Sequence, residues 1–125
     1  LHAHWQARRA GGEALALILL DVDHFKAYND RYGHPEGDRC LRQVGEIVQS
    51  IAAVQSRVRL AARYGGEEFV LLLASDRLAA GELAETLRLA VAARALPHAG
   101  NPVSGVVTVS LGVADSRGPW PDPAA

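Results

Sequence analysis

Arg57-Val58-Arg59-Leu60-Ala61-Ala62-Arg63-Tyr64 runs into Gly65-Gly66-Glu67-Glu68 and then into Phe69-Val70-Leu71-Leu72-Leu73-Ala74. Two strand-sized segments parted by Gly-Gly predict a β-hairpin, because glycine tolerates the positive φ angles of a tight turn. The second segment is a near-continuous apolar run, the pattern of a strand buried within a sheet.

Upstream, Leu15 to Leu20 is a second continuous apolar run, which predicts a central strand buried on both faces. It stops abruptly at Asp21-Val22-Asp23. His24 to Tyr32 reads as a short helix closed by Gly33. His34-Pro35-Glu36-Gly37-Asp38 is a turn that starts a long helix. On that helix Cys40, Leu41, Val44, Ile47, Val48 and Ile51 share one face, and Arg39, Arg42, Gln43, Glu46 and Gln49 take the other. Residues up to Gly12 read as the end of a helix, stopped by Gly11-Gly12. Downstream, Leu78 to Leu96 is a helix with Leu83, Leu87, Ala90 and Val91 inward. His98 to Pro102 is a loop. Val103 to Val113 alternates and predicts the last strand, and the tail after Asp115 is irregular.

The order is strand, two helices, strand, strand, helix, strand. This βααββαβ order predicts an α/β (α+β) fold of the ferredoxin-like or palm-like kind, a mainly antiparallel sheet with flanking helices. A right-handed first crossover makes the first two strands parallel. The second hairpin strand then returns antiparallel beside the first. Asp21 therefore meets Glu67 at one end of the sheet, although 46 positions separate them.

The bulk properties suit one globular domain. The chain has 125 residues, 49% of them hydrophobic and 22% charged, enough for a core and unlike a disordered segment. A net charge of −1 carries no signature of a nucleic-acid partner. Cys40 is the sole cysteine, so no intrachain disulfide forms, in keeping with a reducing compartment. The longest apolar run, Ala14 to Leu20, is strand-sized and not membrane-spanning. No signal peptide stands at the start. The first residue is Leu1, not methionine, so residues 1–125 are expected to be one domain cut from a longer parent, cytoplasmic or the cytoplasmic part of a membrane-bound protein.

Four acidic residues gather at the predicted sheet end: Asp21, Asp23, Glu67 and Glu68. Side chains alternate along a strand, so one from each pair is expected to face a common pocket. Two carboxylates and a backbone carbonyl make a hard oxygen site suited to Mg²⁺. The plainer reading is a set of solvated strand-end charges. Gly65-Gly66 is either only a turn or also a stretch of bare backbone that a phosphate can approach. Asn29 is either a turn former or a purine reader. Asp38 is either a first-turn helix acid or an acceptor for the N1–H and amine of guanine. The five histidines show no metal-ligand spacing and read as ordinary surface or core residues.

Several of these segments resemble the GGDEF family of bacterial diguanylate cyclases. Arg63-Tyr64-Gly65-Gly66-Glu67-Glu68-Phe69 is similar to the GGEEF form of its signature. Leu20-Asp21-Val22-Asp23-His24-Phe25-Lys26, Asn29-Asp30 and Tyr32-Gly33-His34-Pro35-Glu36-Gly37-Asp38 resemble its first metal and substrate segment. Val107-Thr108-Val109-Ser110-Leu111-Gly112-Val113 resembles its late strand. The likeness runs from about residue 13 to residue 114.

The resemblance implies a reaction, a cofactor and roles. Two GTP would condense to cyclic di-GMP with loss of pyrophosphate, in a homodimer, with Mg²⁺ or Mn²⁺. Asp21, Glu67 and the carbonyl of Val22 would hold the metal. Glu68 would be a second acid or a base, and Lys26 would stabilise charge at the reacting phosphorus. Asn29 and Asp38 would read guanine. His24, Phe25 and nearby main chain, with Gly65, Gly66 and Arg63, would bind the rest of the substrate. A sensory or receiver domain is expected in the parent chain.

The chain also departs from the family pattern. The product-inhibition motif Arg-x-x-Asp falls at Ser56-Arg57-Val58-Arg59, so no standard inhibitory site is expected between Ser56 and Arg59. A basic C-terminal helix is not seen after Asp115, and the opening segment is short. The alternatives are a silent GTP-binding regulatory module or another palm-type nucleotidyl enzyme.

Overall fold

In the computed structural model, which describes residues 14–116, strand β1 spans Ala16–Val22 and sets the architecture. Ala16, Ile18, Leu20 and Val22 are buried, while Leu19 is 47% exposed and Asp21 is open to solvent. This period of two gives the strand one covered face and one open one. The chain continues through helix α1 (Phe25–Tyr32), helix α2 (His34–Ala53), strand β2 (Val58–Tyr64), strand β3 (Glu68–Leu73), helix α3 (Arg77–Ala93) and strand β4 (Val109–Asp115).

The four strands form one sheet in the order β2-β3-β1-β4, antiparallel at each junction. Both β1 and β2 oppose β3, so they run in the same direction, as the crossover argument expects. The helices cover one face. Ile18, Leu20, Phe69 and Leu71 pack with Val44 and Val48 of α2 and with Leu87 and Val91 of α3. A smaller cluster of Leu15, Leu17 and Leu72 lies apart from this core. The expected apolar face of α2 is buried from Cys40 to Val48, with Ile51 half-buried. Burial pushes the Cys40 thiol up to about 11, against a hydrogen bond from Tyr28 that lowers it, so this thiol is packing rather than chemistry.

Three expectations need correction. β1 is central, yet it is not buried on both faces, since Leu19 is exposed; the doubly covered strand is β3, where Phe69 to Leu73 are all buried. Helix α3 ends at Ala93 rather than Leu96, and Ala95 turns left-handed at φ 55°. It begins at Arg77 because the Asp76 carboxylate caps it, accepting from the Ala79 amide at 2.9 Å. The last strand begins at Val109, not Val103. Residues 97–106 close a loop instead. His98 N–H donates to the Gly105 carbonyl, Gly105 N–H donates to the Asn101 carbonyl, and Gly105 sits at φ 72°. The helix expected before Gly12 and the irregular tail beyond residue 116 lie outside the described residues.

Leu71 is fully buried at the centre of the sheet. Leu71→Ala is expected to lower stability by about 2–5 kcal/mol, and Leu19→Ala on the open face by about 0.5 kcal/mol or less. Urea unfolding of both variants reads the difference. A Leu19 loss as large as that at Leu71 would show that the open face is covered.

Candidate active site

The β1–β3 register determines which carboxylates meet. Asp21 stands directly opposite Glu68, and Val22 N–H donates to the Glu67 carbonyl at 3.4 Å. Directly opposed residues of an antiparallel pair present their side chains on one face, within reach of each other. The side chains brought together are thus those of Asp21 and Glu68, not Asp21 and Glu67 as expected, because β3 begins one residue later, at Glu68. Glu67, half-buried in the turn, comes to Val22 through its main chain. Ser110 of β4 lies on the other side of Asp21. Asp21, Glu68, Ser110, Leu19, Leu111 and Gly112 line a shallow cavity of about 280 Å³.

No hydrogen bond or ion pair reaches the side chains of Asp21, Glu67 or Glu68 among the described residues. Two carboxylates facing each other with no counter-ion repel. No group of three or more His, Cys, Asp or Glu side chains gathers to hold a metal among the described residues. Hard oxygen donors of this kind nevertheless fit a divalent cation that takes its remaining ligands from water or substrate.

Asp23 differs from Asp21. Its carboxylate accepts from Thr108 Oγ1 at 2.7 Å and from Ser110 Oγ, and its N–H donates to the Thr108 carbonyl at 3.0 Å. That carboxylate is a structural tie between β1 and β4. Next to it, His24 adopts φ 55° and is the N-cap of α1, with no side-chain cap hydrogen bond. A non-glycine residue in this region costs about 1 kcal/mol or more. The first amides of α1 stay open at the positive end of its dipole.

The other expected residues are spread around this turn. Phe25 is buried and stacked parallel to Tyr28, so only its main chain is open to a ligand. Lys26 is exposed and pairs with Asp30 at 3.1 Å. Asn29 packs against Gly37, where an added Cβ would fall 1.8 Å from Asn29 Oδ1. That oxygen is buried and has no hydrogen-bond partner. Asp38 is exposed on the first turns of α2. Gly65 has φ 73°, and a Cβ on Gly66 would meet nothing within 4 Å. Arg63 Nε donates to the Gly66 carbonyl at 2.9 Å across the turn. Arg59 Nη1 donates to the Ser56 carbonyl at 2.8 Å, and both residues are exposed.

The family described as "Diguanylate cyclase, GGDEF domain" matches residues 1–122. This chain belongs to the GGDEF domain family. It is 44% identical over 115 residues to the diguanylate cyclase DgcP of Pseudomonas aeruginosa, covering 88% of this chain and 16% of that protein. The GGDEF domain of DgcB from Caulobacter crescentus, solved in complex with c-di-GMP, superposes with TM-score 0.76 at 34% identity, over 92% of this chain and 67% of that one. The active GGEEF domain of a diguanylate cyclase from Vibrio cholerae gives TM-score 0.72 at 28% identity, over 98% and 74%. Within the described residues of this GGDEF domain, no helix is long and apolar enough to cross a membrane.

Sequence reasoning missed two parts of this GGDEF site. One is the locking of Asp23, which the alternation of Thr108-Val109-Ser110 could have signalled, since it sets both hydroxyls on one face. The other is His98, which is fully buried and hydrogen-bonded to the Asp23–His24 turn. Its partners lie more than 70 positions away, so no local pattern marks it. The unpaired carboxylates carry a stability consequence. Glu68→Gln is expected to raise stability in metal-free buffer by about 0.2–1 kcal/mol, measured by urea unfolding. A fall would reveal a stabilising partner for Glu68.

Proposed function

We propose that this domain is a diguanylate cyclase that condenses two GTP into cyclic di-GMP and releases two pyrophosphates. The observation that carries the reading is the opposed, unneutralised pair Asp21 and Glu68 beside the open N-terminus of α1. Charges so arranged call for a cation and a polyanion together.

Asp21, Glu67 and the Val22 carbonyl would hold Mg²⁺, or Mn²⁺ in its place, with Glu68 in reach as a further acid or base. Such an ion, when bound, lowers the pKa of a ribose 3′-hydroxyl and neutralises a leaving pyrophosphate. The chain itself supplies position. The main chain of His24 and Phe25, at the uncapped helix start, would donate its N–H groups to phosphate oxygens. Gly66 keeps the turn clear of side-chain bulk, a freedom that the domain's own packing does not demand. Asn29, whose Oδ1 lies buried against Gly37 without a partner, would turn its amide outward to meet the N1–H or amine of guanine. Asp38 takes the other. Arg63 steadies the Gly65-Gly66 turn, and Lys26 swings from Asp30 toward charge developing on phosphorus.

In the reaction the 3′-oxygen of one GTP bonds to the α-phosphorus of the other. The bond to pyrophosphate breaks, and the hydroxyl proton passes to a base, for which Glu68 is the candidate. Repeating the step in the opposite sense closes the ring. A site holding one GTP needs a second domain facing it, so the working unit is a homodimer. A sensory or receiver domain in the same polypeptide would control that encounter. The Ser56–Arg59 segment, with no acid at either end, offers no standard inhibitory site for the product. The setting that suits GTP chemistry is the cytoplasm.

The full-length protein, incubated with GTP and Mg²⁺, is expected to yield cyclic di-GMP by chromatography. Glu67→Ala is expected to lower the rate by about 100-fold or more, and a chelator to abolish it. GTP binding without product in the wild type would overturn this reading in favour of a silent GTP-binding module. ATP turned over as well as GTP would point to another palm-type enzyme.

A further inference from the structure

We infer that His98 is a positioning residue for nucleotide chemistry at the Asp23–His24 turn, an inference that rests on the cyclase reading. The side chain is fully buried. Its Nε2 lies 3.3 Å from the Asp23 carbonyl oxygen and 3.1 Å from that of His24. Both oxygens only accept, so Nε2 carries the proton and shares it between two successive peptide groups.

Peptide planarity converts this tie into a direction. In a trans peptide the C=O and the next N–H point opposite ways. Drawing the Asp23 carbonyl inward to His98 turns the His24 N–H outward, and the His24 carbonyl, held both by His98 and by the Tyr28 N–H at 3.1 Å, turns the Phe25 N–H the same way. Neither amide makes a hydrogen bond among the described residues. Two successive outward amides around a left-handed residue form a concavity suited to an anion. The conformation at His24 is a costly one, and such a turn persists only where its surroundings impose it.

The surroundings are built for this. The His98 ring stands edge-on to Tyr28, with centroids 5.1 Å apart and an interplanar angle of 82°. The Ala99 amide donates to Tyr32 Oη at 3.0 Å. A Cβ on Gly100 would come within 3.0 Å of Ala27 Cβ and 3.2 Å of His98 Cε1, so a side chain at this position has no room beside the ring. Asn101 Nδ2 donates to Thr108 Oγ1, which in turn donates to the Asp23 carboxylate. Residues 98–101 therefore hold α1 and the turn at once.

The test separates the donor from the bulk of the ring in the full-length protein. His98→Phe keeps an aromatic ring and removes the proton. His98→Gln returns an amide N–H at similar reach. kcat/KM for GTP is expected to fall by about 10- to 100-fold in His98→Phe and to recover to within about threefold of wild type in His98→Gln. Thermal melting, run alongside, is expected not to follow the same order, because the glutamine fills the pocket less well than the phenylalanine. Equal rates in His98→Phe and wild type would overturn the inference. So would equal losses in both variants that track their melting temperatures. Should His98→Phe not fold, Gly100→Ala, which pushes the ring without removing it, is expected to lower kcat/KM several-fold. Wild-type kinetics there would overturn the inference. A wild type that makes no product would overturn the cyclase reading, and this one with it.

Discussion

The antiparallel register between β1 and β3 determines where the charges at this end of the sheet point. It is set by apolar residues well away from the site. Ile18 lies opposite Leu71 and Leu20 opposite Phe69, and all four are buried on the helix-covered face. Because side chains alternate, a slip of one residue in β1 would drive Ala16 to Val22 through to the other face. Asp21 would enter the core without a partner, at a cost of several kcal/mol. Burying the leucines and isoleucine thus forces Asp21 and Glu68 to face each other on the open side. Their mutual repulsion is small against the penalty for any other register, and the fold carries it.

The β1–α1 turn obeys the opposite logic. At the strand end the carboxylates are left unpaired, whereas the turn that follows is tied through the Asp23 carboxylate and the carbonyls of Asp23 and His24. Asp23 is bound to the hydroxyls of Thr108, just before β4, and Ser110, within it, and its carbonyl and that of His24 are bound to His98. The left-handed residue between them has no glycine freedom to rely on. Two acidic residues separated by one valine thus do different work. The Asp21 oxygens have no partner among the described residues, and those of Asp23 are bound within the domain. A rigid support beneath an unsatisfied group is the arrangement expected where a ligand must be met without reorganisation.

The sequence was readable where pattern and position coincide. The Gly65-Gly66 hairpin and the apolar face of α2 follow from period and topology, and the helix-strand order carried the fold class, whereas the expected meeting of Asp21 with Glu67 fell one residue away, at Glu68. Reading failed where long-range contacts override local pattern. Val103 to Val107 alternates as a strand does, yet Asn101 draws the chain into a loop by donating to the Val106 carbonyl and accepting from the Val103 amide. Leu15 to Leu20 is apolar throughout, yet only alternate members are covered by the helices. Alternation could not say which glutamate would share a face with Asp21 until the hairpin register was known, since the turn could end at either residue. His98 was invisible for a related reason: a single histidine in a loop has no period.

The site's openness bears on what one domain can accomplish. Asp21 and Glu68 lie on the face that α2 and α3 leave uncovered, and Asn29 lies around the corner, at the junction of α1 with Gly37 of α2. On the cyclase reading these two groups grip opposite ends of one nucleotide, with the tied turn between them. Every group assigned to the nucleotide then comes from the ends of β1, β3, α1 and α2, and nothing in the described residues closes over the reacting face. A second nucleotide has to arrive from outside with its own set of grips.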